Sequence, residues 1–251
     1  MAAGRPSRAA LAVRVRTALA EDRIEQDRTT AAVLPRALRA EGVVVAQRSA
    51  TVSGVRAATL AARAVGLRVV RAVRDGQRLR PGEVVLAVRG DARAILRVER
   101  TVLNLLMHAS GVATATARAV RAAGRSRGAL RVLATRKTLP GLRDLEKAAV
   151  VHGGGHPHRR DLAERILVKS NHLALVRMEE AIRRARQRAR PNEPVEVEVR
   201  TVAEALRAAR AGAGILLVDN ASPRRARSVI RALRDARLPV GLARAGARSK
   251  L

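Results

Sequence analysis

The chain has 251 residues, with 51 Lys and Arg against 21 Asp and Glu, five His, and no Cys, Phe, Tyr or Trp. That length holds one large domain or two small ones around an aliphatic core, and 47% hydrophobic content excludes a disordered chain despite the net charge of +30. The missing Cys excludes disulfides, thiolate metal sites and a Cys nucleophile.

No apolar run approaches the roughly 18 residues of a spanning helix, and the Arg-studded N-terminus lacks an apolar signal region. A cytoplasmic protein is expected. The charge implies anionic partners. Nucleic acid is disfavoured, because no aromatic is available to stack on bases. Only four cations are Lys, at Lys137, Lys147, Lys169 and Lys250. Where Arg is the habit, those four positions stand out.

Residues 8–20 alternate Ala, Leu and Val with Arg and predict a surface helix. Residues 21–30 are polar and turn-like. Val-rich runs at 43–45, 67–70 and 84–88 predict strands, with a helix over 55–65. Asp75-Gly76 and Pro81-Gly82 signal turns. Residues 92–107 have the spacing of an amphipathic helix. This first part, 1–112, reads as a small α/β domain.

Beyond Gly111 the pattern predicts a helix over 112–123, a strand over 129–134 and a helix over 142–150, which Gly153-Gly154-Gly155 breaks. Strands at 166–168, 195–199 and 215–218 then alternate with helices over 178–190, 203–211 and from Ser222-Pro223 onward. Such alternation predicts a parallel sheet or barrel over 113–251.

Four of these strands run into polar residues. The first leads to Thr135-Arg136-Lys137-Thr138, the second to Lys169, and the fourth to Asp219; the third carries Glu196 and Glu198. A barrel's active site lies at the C-terminal ends of its strands, so these groups are expected at one mouth. Glu196 and Glu198 alternate with valines, so both carboxylates share one strand face. Lys169 and Lys137 are candidates to pair with them. The Gly153 triplet is expected to let the backbone approach an anion, with His and Arg following as donors. A metal site on His152, His156 and His158 is disfavoured by the surrounding cations.

Taken in order, the blocks resemble the quinolinate phosphoribosyltransferase family. They are Asp27-Arg28-Thr29-Thr30 with Pro35, Glu99-Arg100-Thr101, Thr135-Arg136-Lys137-Thr138-Leu139-Pro140-Gly141, Lys147-Ala148, His158-Arg159, Val168-Lys169-Ser170-Asn171-His172 and Asp219-Asn220. The resemblance implies an N-terminal α/β sandwich domain and an incomplete parallel α/β barrel. It implies a homodimer or higher homo-oligomer with shared active sites. The implied reaction moves the phosphoribosyl group of phosphoribosyl pyrophosphate onto quinolinate with loss of CO2 and pyrophosphate, in NAD biosynthesis, with Mg²⁺.

By the same resemblance Arg136, His158 and Arg159 bind substrate carboxylates, with Arg100 entering from the neighbouring subunit. Lys137 and Lys169 face phosphate oxygens. Glu198 and Asp219 hold Mg²⁺ or ribose hydroxyls. Ser170 stands where the family usually has Asp, and Pro157-His158 resembles the related molybdenum-locus ModD proteins, so a different acceptor or an impaired paralogue stays open. A polyanion-binding protein is a third reading. The segment from Leu238 on is expected to lack the family's last two strands.

Overall fold

The computed structural model describes residues 7–34, 36–124 and 130–244. The chain divides into two compact units, Met1–Arg160 and Asp161–Leu251. Position 112 lies within a long helix, Ala92–Gly124. No helix among the described residues is long and apolar enough to cross a membrane.

The first unit begins with α1 (Arg8–Glu21), capped by Ser7, whose hydroxyl accepts from Ala10 N–H. The polar stretch that follows is more than a turn. A 3-10 turn (Ile24–Gln26) leads to α2 (Arg28–Val33), and Asp27 is the N-cap of α2, accepting from Thr30 N–H at 3.0 Å. The Asp-x-x-Thr spacing is therefore a helix-start signal; Pro35 lies outside the described residues.

Three antiparallel strands form the sheet of this unit, β1 (Arg39–Val45), β3 (Arg68–Ala72) and β5 (Val84–Asp91), in the order β1-β5-β3. Two short strands, β2 (Ala50–Thr51) and β4 (Arg78–Leu79), pair separately. Against the sheet lie α3 (Val55–Ala64) and the 33-residue α4 (Ala92–Gly124). Ala57, Ala58, Ala61 and Ala62 of α3 are almost completely buried, and these small side chains let α3 approach α4 closely. Gly54 sits at φ +91°, where an added Cβ would lie 2.8 Å from the Leu105 carbonyl oxygen.

Two helices were expected where α4 runs unbroken. Gly111 costs the helix only about 1 kcal/mol relative to Ala, and burial of Val102, Leu105, Leu106, Ala109 and Ala113 along one stripe outweighs it. The strand expected over 129–134 shrinks to one bridge, Leu133 to His156; Ala129 lies outside the described residues. Helix α5 (Arg143–His152) completes the unit.

The second unit is a four-stranded parallel sheet, β6 (Leu167–Val168), β7 (Glu196–Val199), β8 (Ile215–Val218) and β9 (Gly241–Arg244), in chain order. Helices α6 (Ser170–Leu173), α7 (Met178–Arg188), α8 (Val202–Arg210) and α9 (Pro223–Asp235) connect the strands. Val197, Val199, Leu216 and Val218 are fully buried with Ile182 of α7 and Val229 of α9. Strand β9 corrects the expectation of missing strands in part: Leu216 pairs with Leu242 and Leu217 with Ala243, so the segment continues the sheet. Residues 245–251 lie outside the described residues.

Candidate active site

In the first unit one helix organises the cationic residues. The Leu133–His156 bridge sets two segments parallel, with Ala134 N–H donating to His156 O and His156 N–H to Val132 O. Arg136 and Arg159 each lie three residues beyond that bridge, so Arg136-Lys137 and His158-Arg159 leave it in the same direction. Helix α5 holds both segments. Glu146 accepts from Leu139 N–H at 3.2 Å and lies 2.9 Å from His108 Nε2, while Arg143 Nε donates to Thr138 Oγ1. The next residue, buried Lys147, donates through Nζ to the carbonyls of His158 and Arg159 at 3.3 and 2.9 Å. Asp144 takes a two-pronged bond from Arg160 at 2.7 and 2.8 Å, which holds its carboxyl below the usual carboxylate range.

Arg136 is half-buried, and its Nε is buried with no hydrogen-bond partner among the described residues. A desolvated guanidinium nitrogen without an acceptor is costly unless an anion completes it. Arg159 is buried, His158 half-buried and Lys137 exposed. Arg100 is exposed on α4, in a separate cavity of about 400 Å³ lined also by Asp27, Arg28 and Arg97. The Arg97 Nε there is likewise buried and unpartnered, a feature sequence spacing did not single out.

Two glycines of the triplet have a packing role. A Cβ at Gly153 would lie 2.4 Å from the Ala113 carbonyl oxygen, and one at Gly155 would lie 2.6 Å from Val150 Cγ1 and 3.0 Å from Thr116 Cγ2. These glycines let the end of α5 press against α4. The disfavoured His metal site also has a concrete alternative. His152 Nδ1 lies 2.8 Å from the buried Ser53 hydroxyl.

In the second unit register places the remaining groups. Leu167 pairs with Glu196 and Glu198 with Leu217. Lys169 and Asp219 each lie two residues beyond a strand member of that face, so Lys169, Glu196, Glu198 and Asp219 share the face opposite the helices. All but Glu196 stand at C-terminal strand ends. Glu196 is buried and Glu198 half-buried. Lys169 does not pair with Glu198 as expected. The Ser170 hydroxyl donates to Glu198 Oε1 at 2.8 Å instead, and Arg200 Nη2 donates to Ser170 Oγ at 3.3 Å. Asn220 donates to Asp219 Oδ2 at 3.1 Å. The Lys169 N–H donates to His172 Nδ1 at 2.8 Å, which fixes the turn after β6.

The eight residues thus fall into two sets. Arg100, Arg136, Lys137, His158 and Arg159 belong to the first unit; Lys169, Glu198 and Asp219 belong to the second. A larger cavity of about 510 Å³ in the first unit, beside His152 and Asp75, contains none of them. Sequence reasoning passed over Asp144, Glu146 and the roles of Lys147 and Ser170. Their only signals were an acidic pair on a short helix, a rare Lys and a departure from a motif.

Residues 112–249 match the family model for the quinolinate phosphoribosyl transferase C-terminal domain, and residues 27–110 match that for its N-terminal domain. A probable carboxylating nicotinate-nucleotide pyrophosphorylase of Methanothermobacter thermautotrophicus is 43% identical over 216 residues, 84% of this chain and 77% of the other. Among solved structures, the nicotinate-nucleotide pyrophosphorylase of Francisella tularensis aligns with TM-score 0.86 at 28% identity, covering 98% of this chain and 86% of that one. NadC from Streptococcus pyogenes aligns with TM-score 0.82 at 34% identity, covering 92% and 81%.

Proposed function

The chain belongs to the quinolinate phosphoribosyl transferase family, and from that membership we propose that it is a carboxylating nicotinate-nucleotide pyrophosphorylase. It joins the ring nitrogen of quinolinate to the ribose carbon of phosphoribosyl pyrophosphate, expels pyrophosphate, and releases one ring carboxylate as CO2. The product, nicotinate mononucleotide, leads to NAD.

Both substrates are polyanions, and the residues divide the work by chemistry. Arg136, His158 and Arg159 take the two carboxylates of quinolinate; the planar guanidinium fork meets a carboxylate with two parallel bonds, which a Lys cannot do. Cations around the ring also stabilise the electron pair left on carbon when CO2 departs, until that carbon takes up a proton from water. Lys137 and Lys169 take phosphate and pyrophosphate oxygens as point charges. Glu198 and Asp219 present carboxylate oxygens to the ribose side, where negative charge favours the developing oxocarbenium character. Arg100 of the partner subunit completes the carboxylate set in a homodimer. No step needs a protein nucleophile, in keeping with a chain that has no Cys. A cysteine-free chain depends on no oxidising compartment, which supports a cytoplasmic location.

Mg²⁺ suits this donor set. Glu198 Oε2 and Asp219 Oδ1 have no partner among the described residues, and two carboxylates plus substrate phosphates are the usual surroundings of Mg²⁺. Bound there, Mg²⁺ would neutralise the departing pyrophosphate. A pure polyanion binder has no use for carboxylates on this face, which weighs against that reading.

The observation that carries the quinolinate assignment is the buried, unpartnered Nε of Arg136 in the segment clamped by α5. Arg136→Ala is expected to raise the KM for quinolinate at least tenfold, about 1.4 kcal/mol, with the KM for phosphoribosyl pyrophosphate within about twofold. Steady-state kinetics with each substrate varied would show it. An unchanged KM for quinolinate would remove Arg136 from the carboxylate site.

A further inference from the structure

Glu198 has two carboxylate oxygens, and only Oε1 has a partner among the described residues, the Ser170 hydroxyl at 2.8 Å. Ser170 itself accepts from Arg200 Nη2 at 3.3 Å. A guanidinium has donors and no acceptor, so a hydroxyl receiving from it turns its single proton elsewhere. Among the described residues the only other partner of that hydroxyl is Glu198. The chain Arg200 to Ser170 to Glu198 therefore runs in one direction, and the orientation of the serine proton is set from outside.

The consequence is an asymmetric carboxylate. Oε1 is engaged by Ser170, and Oε2 is left with both lone pairs open among the described residues. The contact also reverses the polarity that the family resemblance implies at this position. An Asp at 170 would be an acceptor facing another acceptor; Ser170 is a donor and removes one negative charge from the neighbourhood of Glu198. Backbone geometry supports the placement. Lys169 N–H is tied to His172 Nδ1 at 2.8 Å, which holds Ser170 at the first position of α6, beside the end of β7.

We propose that Ser170, locked by Arg200, is a positioning residue that commits one oxygen of Glu198 and leaves the other to the Mg²⁺ and phosphoribosyl pyrophosphate pair. This rests on the assignment of Glu198 to the donor side. Loss of the hydroxyl frees the carboxylate to rotate and spreads its charge over several orientations.

The test is isothermal titration calorimetry of phosphoribosyl pyrophosphate with Mg²⁺ into the full chain, wild type against Ser170→Ala, Ser170→Thr and Glu198→Gln, followed by steady-state kinetics. Ser170→Ala is expected to weaken binding about tenfold, the usual worth of a hydrogen bond to a charged group. It should lower kcat/KM for phosphoribosyl pyrophosphate in step and leave the KM for quinolinate within about twofold. Ser170→Thr keeps the hydroxyl and is expected to restore binding to within about twofold of wild type. Wild-type binding by Ser170→Ala beside weakened binding by Glu198→Gln overturns the proposal and leaves the role of Glu198 standing. Ser170→Thr as weak as Ser170→Ala also overturns it, because the hydroxyl is then not the acting group. Unweakened binding by Glu198→Gln removes Glu198 from the donor side, and the proposal falls with it. Should circular dichroism show Ser170→Ala unfolded, Arg200→Gln carries the same test, with about two- to threefold weakening expected and wild-type binding overturning the proposal.

Discussion

Arg136 and Lys147 show what single residues contribute. Arg136 holds a buried nitrogen with no acceptor among the described residues, and the Lys147 ammonium donates to the carbonyls of His158 and Arg159. In the proposed reaction Arg136 takes an anion, and Lys147 fixes the backbone of His158 and Arg159. The neighbouring Asp144–Arg160 pair gives a pH signature. The Asp144 carboxyl is held below its ordinary 3.8, chiefly by hydrogen bonding from Arg160. A depressed folded value means that the stabilisation is full above about pH 4 and is lost as the pH falls through the lowered value. Arg160 is largely exposed, so the pair is worth about 0.5–1 kcal/mol. Urea unfolding of wild type and Asp144→Asn should therefore differ by that amount at pH 6, and the gap should close as the pH falls below 3.8; a constant gap would contradict the assignment. At this scale the sequence was readable where a side chain follows a strand, as for Lys169 and Asp219. It was unreadable where the partner is remote in sequence. Ser170 and Glu198 are 28 residues apart, and Gly153 meets Ala113 across 40. Glycine spacing alone cannot tell a helix-packing glycine from an anion cradle.

Among the elements, helices appear close to where local signals placed them: α1 from its Ala, Leu, Val and Arg content, α3 and α7 from their residue pattern, and α9 from the Ser222-Pro223 start. The continuity of α4 through Gly111 was hidden, because a glycine weakens a helix without stopping it when one face is buried on both sides of it. The short β2 and β4 pairs and the single bridge at Leu133 depend on partners that no local pattern announces. The turn from β7 to α8 links element stability to the candidate site. Thr201 Oγ1 accepts from Glu204 N–H at 3.1 Å, and Glu204 Oε2 accepts from Arg200 N–H at 2.7 Å, so the start of α8 is tied down two residues after Glu198. Thr201→Ala is expected to cost about 1 kcal/mol in chemical denaturation. A loss below about 0.3 kcal/mol would show that the cap does not hold this turn.

For the whole molecule, the net charge of +30 sets the field in which two anionic substrates approach. Most of that charge is exposed Arg, so salt screens it: the Debye length shrinks from about 10 Å at 0.1 M to about 3 Å at 1 M. The KM for phosphoribosyl pyrophosphate is expected to rise several-fold between about 0.05 and 0.5 M salt, more steeply than that for the less charged quinolinate, with kcat nearly constant. Equal salt slopes would argue against this field effect. The α/β class and the parallel second sheet were legible from strand and helix alternation. Strand β9 was not, because Gly241-Leu242-Ala243-Arg244 resembles the Ala- and Arg-rich remainder of the chain and is recognised as a strand only through its pairing with β8. The most direct test of the account is product formation. Purified protein with Mg²⁺, phosphoribosyl pyrophosphate and quinolinate should release pyrophosphate and nicotinate mononucleotide in equal amounts, and Lys137→Ala should release neither above about 1% of that rate. A folded wild-type protein that forms no nicotinate mononucleotide would contradict it.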